Sequence, residues 1–379
     1  MSRKAIFADF LVWGNSFKVG SHNYIEQLIA DGWEVLYLPG YWHVWNLFKD
    51  KKRWNECSRI WRNGIGHVEH NLYTYSPLTF LPYRRKAFFD SCRVAKRSLY
   101  LTLPYFPRWL DKNGWNKVDL LWVSNLQMVS LLQFTKSKKK IYRIPDNMSK
   151  FSSVPSTYQD LELSSLKGFD HIISTHRSNL DKLSQHHPSV HYVPNGVDLE
   201  RFRLPGNQGL PPEYRNDAPK VVYVGAFEEW FDWKLLGEAV NRLPDFRFYL
   251  LGRGKIIDKN VIAMNNVSFL GEKSQSEIVP YLVNANVGII PFKIDDLTND
   301  ISPIKLFEYC AAGLTTVTMA LRETMSIGAP LLAAADVNEF VDRLREAVDD
   351  PLDKNELIRF AEANSWRVRY EYIRKNLLQ

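Results

Sequence analysis

Lys4-Ala-Ile-Phe-Ala-Asp9 and Trp33-Glu-Val-Leu-Tyr-Leu38 are two short apolar runs near the start of the chain, and each predicts a buried β-strand. Between them, the stretch from about Asn23 to Ala30 has the spacing of a helix with its apolar residues on one face. Asp31-Gly32 predicts the end of that helix. A strand, a helix and a second strand in this order form the repeating unit of a parallel, doubly wound sheet.

The same pattern continues through both halves of the chain. In the first half, further strands are predicted at Val118–Val123, Lys140–Ile144, His171–Ser174 and His191–Pro194. In the second half, strands are predicted at Lys220–Gly225, Phe246–Gly252, Val267–Leu270, Val287–Pro291 and Thr315–Met319, and helices near 234–242, 274–284, 303–312, 337–348 and 353–361. The predicted fold class is therefore α/β, with two Rossmann-like doubly wound domains.

Length and one Pro- and Gly-rich segment predict the domain organisation. At 379 residues the chain exceeds the size at which a single hydrophobic core keeps growing. Leu204–Pro212 lacks apolar periodicity and is interpreted as part of a linker over residues 204–216. We expect an N-terminal domain over 1–203, a C-terminal domain over 217–360 and a final helix within 361–379 that packs back on the first domain. Two such domains bind ligands in a cleft at the carboxyl ends of their strands.

Composition indicates a globular chain with an uneven charge. Hydrophobic residues make up 45% of the sequence and charged residues 24%, which argues against disorder. Residues 1–200 carry a net charge of +10 and residues 201–379 carry −3, within the total of +7. This asymmetry predicts a polyanionic neighbour, and charge alone leaves nucleic acid, an anionic membrane surface and a phosphate-rich ligand open.

The cysteines and the apolar runs predict the compartment. Three scattered cysteines favour reduced thiols in a cytosolic protein over a disulfide framework or a zinc cluster. No apolar run is long enough to span a membrane, and the N-terminus lacks the pattern of a secretory signal. We therefore expect a cytoplasmic protein.

Several segments of the second half resemble a known family in order and spacing. They are Pro194-Asn-Gly-Val-Asp198 with Phe202, Tyr223-Val-Gly-Ala-Phe227, Leu250-Leu-Gly-Arg-Gly254, Val267-Ser-Phe-Leu-Gly271 and Ser302-Pro-Ile-Lys-Leu-Phe-Glu-Tyr-Cys-Ala-Ala-Gly313. These segments are similar to those of the large retaining family of GT-B glycosyltransferases (glycosyltransferase group 1), which includes bacterial cell-wall and exopolysaccharide enzymes. The resemblance implies a hexosyltransferase whose C-terminal domain binds a nucleotide-sugar donor and whose N-terminal domain lies on the acceptor side.

The segment that begins at Ser302 predicts an anion-binding helix end on physical grounds. Pro303 fits the first turn of a helix, where its missing amide costs nothing, and the free amides from Ile304 onward suit a diphosphate. Lys305 adds a positive charge, and Glu308 offers carboxylate oxygens to a ribose diol. The resemblance implies donor-binding roles for these residues. The alternative is an ordinary amphipathic helix with an exposed lysine and glutamate.

Further site candidates come from the same resemblance, with two departures from the family pattern. Related enzymes carry two glutamates with seven residues between them, whereas the first position here is Asp300, which leaves a retaining or an inverting reaction open. The glycine turn lacks the usual Arg and Lys, and its aromatic, acidic form is similar to that of teichuronic-acid-type transferases. Arg253 is a candidate for the missing cation, with a surface arginine as the alternative. The other candidates are Gly225, Phe227 and Phe292 for donor binding, and Asn195.

Asp146 is the candidate catalytic residue. Ile141-Tyr-Arg-Ile-Pro-Asp146-Asn-Met-Ser looks like the segment that carries the catalytic aspartate in the glucuronosyltransferase of xanthan assembly. A carboxylate just beyond a strand end suits a general base for an acceptor hydroxyl. A helix N-cap is the alternative role for this residue.

The loop Gly14–Asn23 resembles the glycine-containing first loop of these enzymes, which approaches the donor from the N-terminal domain. Gly20 would let the backbone come close, and His22 is a further candidate. A turn with a solvated His22 is the alternative. Lys136–Lys140 is a short basic run, for which a solvated loop is expected.

Aromatic and cationic residues alternate between Tyr41 and Trp115, for example at Tyr41–Phe48, Lys51–Trp54 and Arg84–Phe89. This composition favours a peripheral, in-plane contact with an anionic membrane. Such a contact would bring the site to a lipid-linked oligosaccharide or glycan acceptor at the inner face of the cell membrane. A packed core with surface cations is the alternative.

The expected activity is transfer from a UDP-sugar, with UDP-glucuronate as one option, in bacterial surface polysaccharide synthesis. No metal or other cofactor and no nucleic acid partner are expected. The rival interpretation is a non-catalytic protein that binds sugar or nucleic acid through the basic, aromatic N-terminal half.

Overall fold

A computed structural model describes residues 2–14, 18, 20–151, 154–203 and 209–379. The chain divides into two compact units. Unit 1 contains Met1–Val193 together with Tyr370–Gln379, and unit 2 contains Pro194–Arg369. The chain therefore leaves unit 1 once and later returns to it, and this return lies inside the last helix.

Unit 1 is an α/β unit. Its strands are β1 (Lys4–Ala8), β2 (Glu34–Leu38), β3 (Gly66–Glu69), β4 (Leu72–Thr74), β5 (Leu78–Thr79), β6 (Thr102–Leu103), β7 (Lys117–Val123), β8 (Lys136–Ile144), β9 (His171–Ser174) and β10 (Val190–Tyr192). Its helices are α1 (Gly20–Ala30), α2 (Asn46–Lys49), α3 (Lys51–Arg62), α4 (Cys92–Ala95), α5 (Phe106–Lys112), α6 (Leu131–Phe134), α7 (Tyr158–Ser165) and α8 (Leu180–Ser184).

The main sheet of unit 1 has the strand order β10-β9-β8-β7-β1-β2-β4-β3 in the part of the chain that the structure describes. Neighbouring strands are parallel, except that β3 runs antiparallel to β4, and β5 and β6 form a separate antiparallel pair. In the middle of the sheet, Ala5 of β1 pairs with Val35 on one side and Leu120 on the other. Residues 5–8 are completely buried, which explains why this strand is apolar without alternation.

Unit 2 contains a second, all-parallel sheet. Its strands are β11 (Lys220–Val224), β12 (Arg247–Leu251), β13 (Val267–Gly271), β14 (Val287–Ile290), β15 (Thr315–Met319) and β16 (Leu332–Ala334). Its helices are α9 (Glu200–Arg203), α10 (Trp233–Arg242), α11 (Lys259–Ile262), α12 (Gln275–Val283), α13 (Ile304–Ala312), α14 (Arg322–Ser326), α15 (Val337–Asp349), α16 (Lys354–Ala363) and α17 (Trp366–Asn376), which continues into unit 1.

The strand order of unit 2, β13-β12-β11-β14-β15-β16, changes direction between β11 and β14. Successive strands are added on one side of β11 until β13, and then on its other side from β14 onward. Loops at the carboxyl ends of two such strands leave in opposite directions, and ligands of open α/β sheets bind in the crevice between them. A ligand site is therefore expected where the chain continues after Val224 of β11 and Ile290 of β14.

The structure differs from the sequence expectations at three places. Helix α1 begins at Gly20 and not near Asn23, so that Gly20 and His22 lie in its first turn and not in a loop. The basic run Lys136–Lys140 is the first half of β8 and not a loop, because it pairs with Lys117–Leu121 of β7. The short strands β3 to β6 and β16 have too few residues to produce a periodic pattern, and they were not predicted.

The expected linker lies only partly within the described residues. Residues 204–208 are outside them, and Pro212–Tyr214 forms a short 3₁₀ turn whose Tyr214 side chain is buried in unit 2. The end of α17 packs within unit 1, where Tyr370 Oη donates a hydrogen bond of 2.6 Å to the Asp31 carboxylate. Among the described residues, no helix combines the length and the apolar character that a membrane span requires.

Candidate donor-binding and catalytic sites

The chain crosses itself closely where β11 and β12 end. A Cβ atom on Gly252 would lie 1.8 Å from the carbonyl oxygen of Gly225, and one on Gly254 would lie 2.3 Å from that of Phe227. Both glycines also have positive φ angles, of 146° and 137°. Only glycine fits these two positions. The crossing brings the backbone of Gly225 beside Lys305, because a Cβ on Gly225 would lie 3.0 Å from Lys305 Cε.

Helix α13 points its amino end toward this crossing. Tyr309 fixes the helix on the sheet: its hydroxyl accepts a hydrogen bond from the Val224 amide (3.1 Å) and donates one to the Ile289 carbonyl (3.3 Å). Pro303 is the N-cap residue, and its carbonyl accepts a hydrogen bond of 3.1 Å from the Leu306 amide. The amides of Ile304 and Lys305, ahead of Leu306, have no acceptor within the helix. An α-helix end of this kind attracts anions.

Ser302 lies directly before the helix and is 3% exposed. Its Oγ has no hydrogen-bond partner among the residues that the structure describes. Its carbonyl oxygen accepts a hydrogen bond of 2.7 Å from Asn195 Nδ2, which fixes the backbone at this point. A buried hydroxyl without a partner is costly, and a ligand oxygen at the helix end would satisfy it.

Lys305 places a cation in the same first turn. Its Nζ lies 4.5 Å from the centre of the Phe292 ring and 5.0 Å from that of Tyr223. Within the described chain no hydrogen-bond acceptor contacts this ammonium group. Burial lowers its pKa from 10.5 to about 8, although the nearby Glu308 carboxylate acts in the opposite direction. The group is therefore charged at neutral pH and lacks a close anionic partner.

Glu308 lies one turn further along α13, and one of its carboxylate oxygens binds a protein side chain. Its Oε1 accepts a hydrogen bond of 3.2 Å from Arg201, whose Nε lies 3.4 Å from the Asp198 carboxylate. Sequence reasoning missed Arg201, although its spacing of three residues from Asp198 at the end of the Pro194–Asp198 motif was a usable signal. The guanidinium holds one carboxylate oxygen of Glu308, and the other can still accept a hydrogen bond.

Three other predicted donor-site residues have different surroundings. The ring of Phe227 is fully buried among Tyr223, Phe231, Trp233 and Phe269, so it fills the core of unit 2. Arg253 forms an ion pair with Glu272 at 3.6 Å. Asp300 is buried and accepts a hydrogen bond of 3.1 Å from Arg322. The structure therefore brings together Gly225, Phe292, Asn195 and the start of α13.

Asp146 follows β8 in unit 1. Burial raises its pKa from 3.8 to about 7, and the Arg143 guanidinium lowers it in part. Asn147, and not Asp146, is the N-cap residue of the following 3₁₀ turn, and no backbone amide within the described residues donates to the Asp146 carboxylate. The alternative role as a helix N-cap is therefore wrong. A carboxylate with a pKa near 7 suits a group that takes up and releases protons at neutral pH.

His22 is buried, so the alternative of a solvated histidine is wrong. Its Nε2 lies 2.9 Å from the Tyr37 hydroxyl, and its ring meets Trp13 edge-on at 4.7 Å. Burial lowers its pKa to about 4, with Asp9 acting against and Lys18 acting with this shift. Gly20 is also buried, at the start of α1. Both residues therefore belong to the packed first turn of α1.

Residues 218–350 match the sequence profile of the family described as "Glycosyl transferases group 1". The match covers β11 to α15 and includes the glycine crossing and all of α13. Residues 218–350 form a group 1 glycosyltransferase domain. This domain contains all of the predicted donor-binding residues, whereas the further candidate Asn195 precedes it.

A curated relative supports the same family. The Bacillus subtilis (strain 168) protein TuaH, whose name assigns it provisionally as a teichuronic acid biosynthesis glycosyltransferase, is 27% identical over 185 residues. The aligned part covers 47% of this chain and 44% of TuaH, so the chain matches less than half the length of that relative.

Solved structures show the fold of the whole chain. Sucrose-phosphate synthase from Thermosynechococcus elongatus has a TM-score of 0.70 at 16% identity, over 99% of this chain and 98% of that one. HepE from Anabaena, solved with UDP, has a TM-score of 0.65 at 11% identity, over 99% of both chains. The fold that contains the group 1 domain is thus GT-B, as the sequence predicted.

No group of three or more His, Cys, Asp or Glu side chains in the described ranges is placed to hold a metal ion. The expectation of a reaction without a metal stays a prediction.

Proposed function

We propose that this protein is a glycosyltransferase that takes a sugar from a UDP-sugar, whose diphosphate binds at the amino end of α13. One observation carries the proposal. Lys305 and Ser302 Oγ, both without an acceptor or partner in the described chain, lie beside the free amides of the helix start and next to Gly225. Diphosphate oxygens would accept from all of these donors.

UDP as the nucleotide is supported by the structural neighbours. HepE was solved with UDP, and also with UDP and glucose together. The second oxygen of Glu308, left open by Arg201, would accept from the ribose hydroxyls. We further propose glucuronate as a donor sugar to test first, because of the likeness of the Asp146 segment to a glucuronosyltransferase.

The reaction needs a base and a stabilised leaving group. In our proposal the Asp146 carboxylate takes the proton of an acceptor hydroxyl as the oxygen forms its bond to the anomeric carbon. The bond between that carbon and the diphosphate breaks, and UDP leaves with the bonding electron pair. Lys305 and the α13 amides stabilise the negative charge that grows on UDP. This assignment corresponds to an inverting transfer, and the product's anomeric configuration tests it.

Two measurements test the proposal. Calorimetry with the full chain should show UDP binding, which inorganic phosphate alone does not reproduce. Transfer from the UDP-sugar should fall by about 100-fold or more in Asp146→Asn, while UDP affinity stays within about twofold of wild type. A chain that binds no UDP at millimolar concentration would rule out the donor site, and full transfer activity in Asp146→Asn would rule out the proposed base.

We also propose that the acceptor is lipid-linked and that the protein works at the inner face of the bacterial cell membrane, in cell-envelope polysaccharide synthesis. The name of TuaH supports the pathway class, and the excess positive charge of residues 1–200 supports an anionic surface. Activity toward a lipid-linked oligosaccharide should exceed activity toward the same oligosaccharide without lipid. Equal rates would contradict this part of the proposal.

A further inference from the structure

A group of aromatic and cationic side chains on unit 1 takes no part in the donor site or in proton transfer. It is formed by residues 43–53 and 84–93, which meet where the rings of Trp45 and Phe89 lie 5.3 Å apart, edge to face. Phe88 packs against Phe89 at 5.5 Å, and Phe48 follows Trp45 by one turn. We call these two segments the Trp45 surface.

The Trp45 surface carries the most exposed large apolar side chains among the described residues. Phe48 is 80% exposed and Phe88 is 72% exposed. Their neighbours Val44 and Leu47 are also exposed. Contiguous exposed apolar side chains are unfavourable in water and mark contact surfaces, and aromatic rings favour the headgroup region of a bilayer.

Arg84 lies in the middle of this surface without an anionic partner. Its guanidinium carbon is 4.5 Å from the centre of the Trp45 ring and 5.2 Å from that of Phe89. Its Nε is buried and has no hydrogen-bond partner in the described chain, and no carboxylate forms an ion pair with it there. A guanidinium held by aromatic rings presents several parallel N–H donors, which match the oxygens of a phosphate.

The charge around Arg84 is strongly positive. Exposed cations on the two segments are Lys49, Lys51, Lys52, Arg85, Lys86 and Arg93. The two segments contain two acidic residues: the exposed Asp50, which accepts from the Arg53 amide, and Asp90, which accepts from Ser156 and Thr157. The surface is therefore complementary to an anionic, partly apolar partner.

We propose that the Trp45 surface docks on an anionic phospholipid bilayer, where Phe48 and Phe88 enter the interface and Arg84 binds a lipid phosphate. This inference rests on the proposed function, because it names the part of unit 1 that meets the membrane. Apolar insertion and phosphate binding act together here. Either contribution alone gives only weak attachment.

The test is co-sedimentation of the full chain with two kinds of vesicles, pure phosphatidylcholine and equal parts phosphatidylcholine and phosphatidylglycerol. Wild type should bind the second kind only. Phe48→Ser with Phe88→Ser should weaken this binding by at least about tenfold. Arg84→Gln should weaken it by about fivefold, and Arg84→Lys should restore part of the loss, because it keeps the charge without the fork of donors.

Matched controls lie in unit 2. Ile257→Ser removes an apolar side chain that is 61% exposed, and Arg215→Gln removes an exposed arginine. Both should bind vesicles like wild type. All variants should bind UDP like wild type in calorimetry, which shows that they are folded and separates failure of this inference from failure of the donor site.

The proposal is overturned if wild type does not bind the anionic vesicles, if the Trp45-surface variants bind as wild type does, or if the unit 2 controls lose as much. It is also overturned if a single-stranded oligonucleotide binds to this surface and the vesicles do not. Inorganic phosphate in solution should not compete with the vesicles at equal phosphate concentration, because it supplies no apolar phase. Equal competition would make Arg84 a site for soluble phosphate and would also contradict the proposal.

Discussion

Lys305 is buried, and burial disfavours the charged form of its side chain. Burial lowers its pKa from 10.5 to about 8, against the attraction of Glu308. Between these two values the folded protein binds fewer protons at this group than the unfolded chain does. The free energy of unfolding that Lys305 contributes therefore rises with pH across this window, and at neutral pH the residue destabilises the free protein. Such a cost is typical of a site built for a ligand.

Lys305→Met should separate stability from binding. Removing the charge should raise the free energy of unfolding of the free protein at pH 7 by about 1–3 kcal/mol, and it should weaken UDP binding by at least about tenfold. Urea unfolding and calorimetry measure the two effects. Lys234→Met, at an exposed lysine of α10, is the matched control and should change neither. A variant that is less stable than wild type would contradict the argument.

The pKa of Asp146 is shifted in the opposite direction to that of Lys305, and burial is the cause in both cases. Its folded pKa of about 7 lies above its ordinary value of 3.8, so the folded state binds more protons than the unfolded chain between these values. Stability contributed by this group is present at low pH and is lost as the pH rises toward 7. Asp119, on the neighbouring strand β7, is a useful contrast. Burial acts to raise its pKa, but hydrogen bonds from Lys138 and Lys4 lower it by more.

Asp146→Asn should raise the melting temperature at pH 8, because it removes a partly buried carboxylate whose charged form is disfavoured, and it should have little effect at pH 4. Asp119→Asn should lower the melting temperature at pH 8, because it weakens two hydrogen bonds. In the active wild type, kcat/KM should rise as the pH increases through about 7. Thermal melts at two pH values and a pH–rate profile test this. A change of the melting temperature in the same direction in both variants at pH 8 would contradict these assignments.

At the scale of elements, the important feature is how α13 is held. Tyr309 attaches it to β11 and β14, Asn195 of the Pro194–Asp198 segment bonds to Ser302 just before the helix, and Arg201 holds Glu308. The same segment is fixed at its other side, where Val197 forms backbone hydrogen bonds with Asn364 and Trp366. The motif before the linker region therefore positions α13.

Arg201→Gln should weaken UDP binding by about tenfold and should hardly change binding of 2′,3′-dideoxyuridine diphosphate, since the loss acts through Glu308 on the ribose hydroxyls. Arg203→Gln is the matched control. It lies two residues away and pairs with Glu200 and Glu362, neither of which is on α13. Calorimetry with both nucleotides on both variants makes the comparison. Equal losses for the two nucleotides in Arg201→Gln would contradict a role at the ribose.

For the whole molecule, sequence patterns predicted the fold class because the central strands of both sheets are short apolar runs buried on two faces. They could not predict β3 to β6, which have two to four residues each, nor the strand character of Lys136–Lys140, which comes from pairing with β7. At the site, Lys305 and Ser302 follow from a local motif. The Arg201–Glu308 pair does not, because 107 positions separate its members and only the folded sheet brings them together.

The order of the chain through the two units makes a prediction about fragments. Residues 370–379 belong to unit 1, where Tyr370 bonds to Asp31, Tyr372 bonds to His191, and Ile373 and Leu377 are buried. Co-expressed fragments 1–193 and 194–379 should therefore purify together on a tag placed on one of them. Fragments 1–193 and 194–369 should do so far less. Equal recovery of the partner fragment from the two pairs would show that residues 370–379 do not hold the fragments together.

The return of α17 to unit 1 also has a practical consequence for experiments that cut this protein. After a single proteolytic cut between the two units, the contacts of residues 370–379 with unit 1 would still hold the two products together. Denaturing gel electrophoresis would then show two fragments, whereas size-exclusion chromatography would show one species.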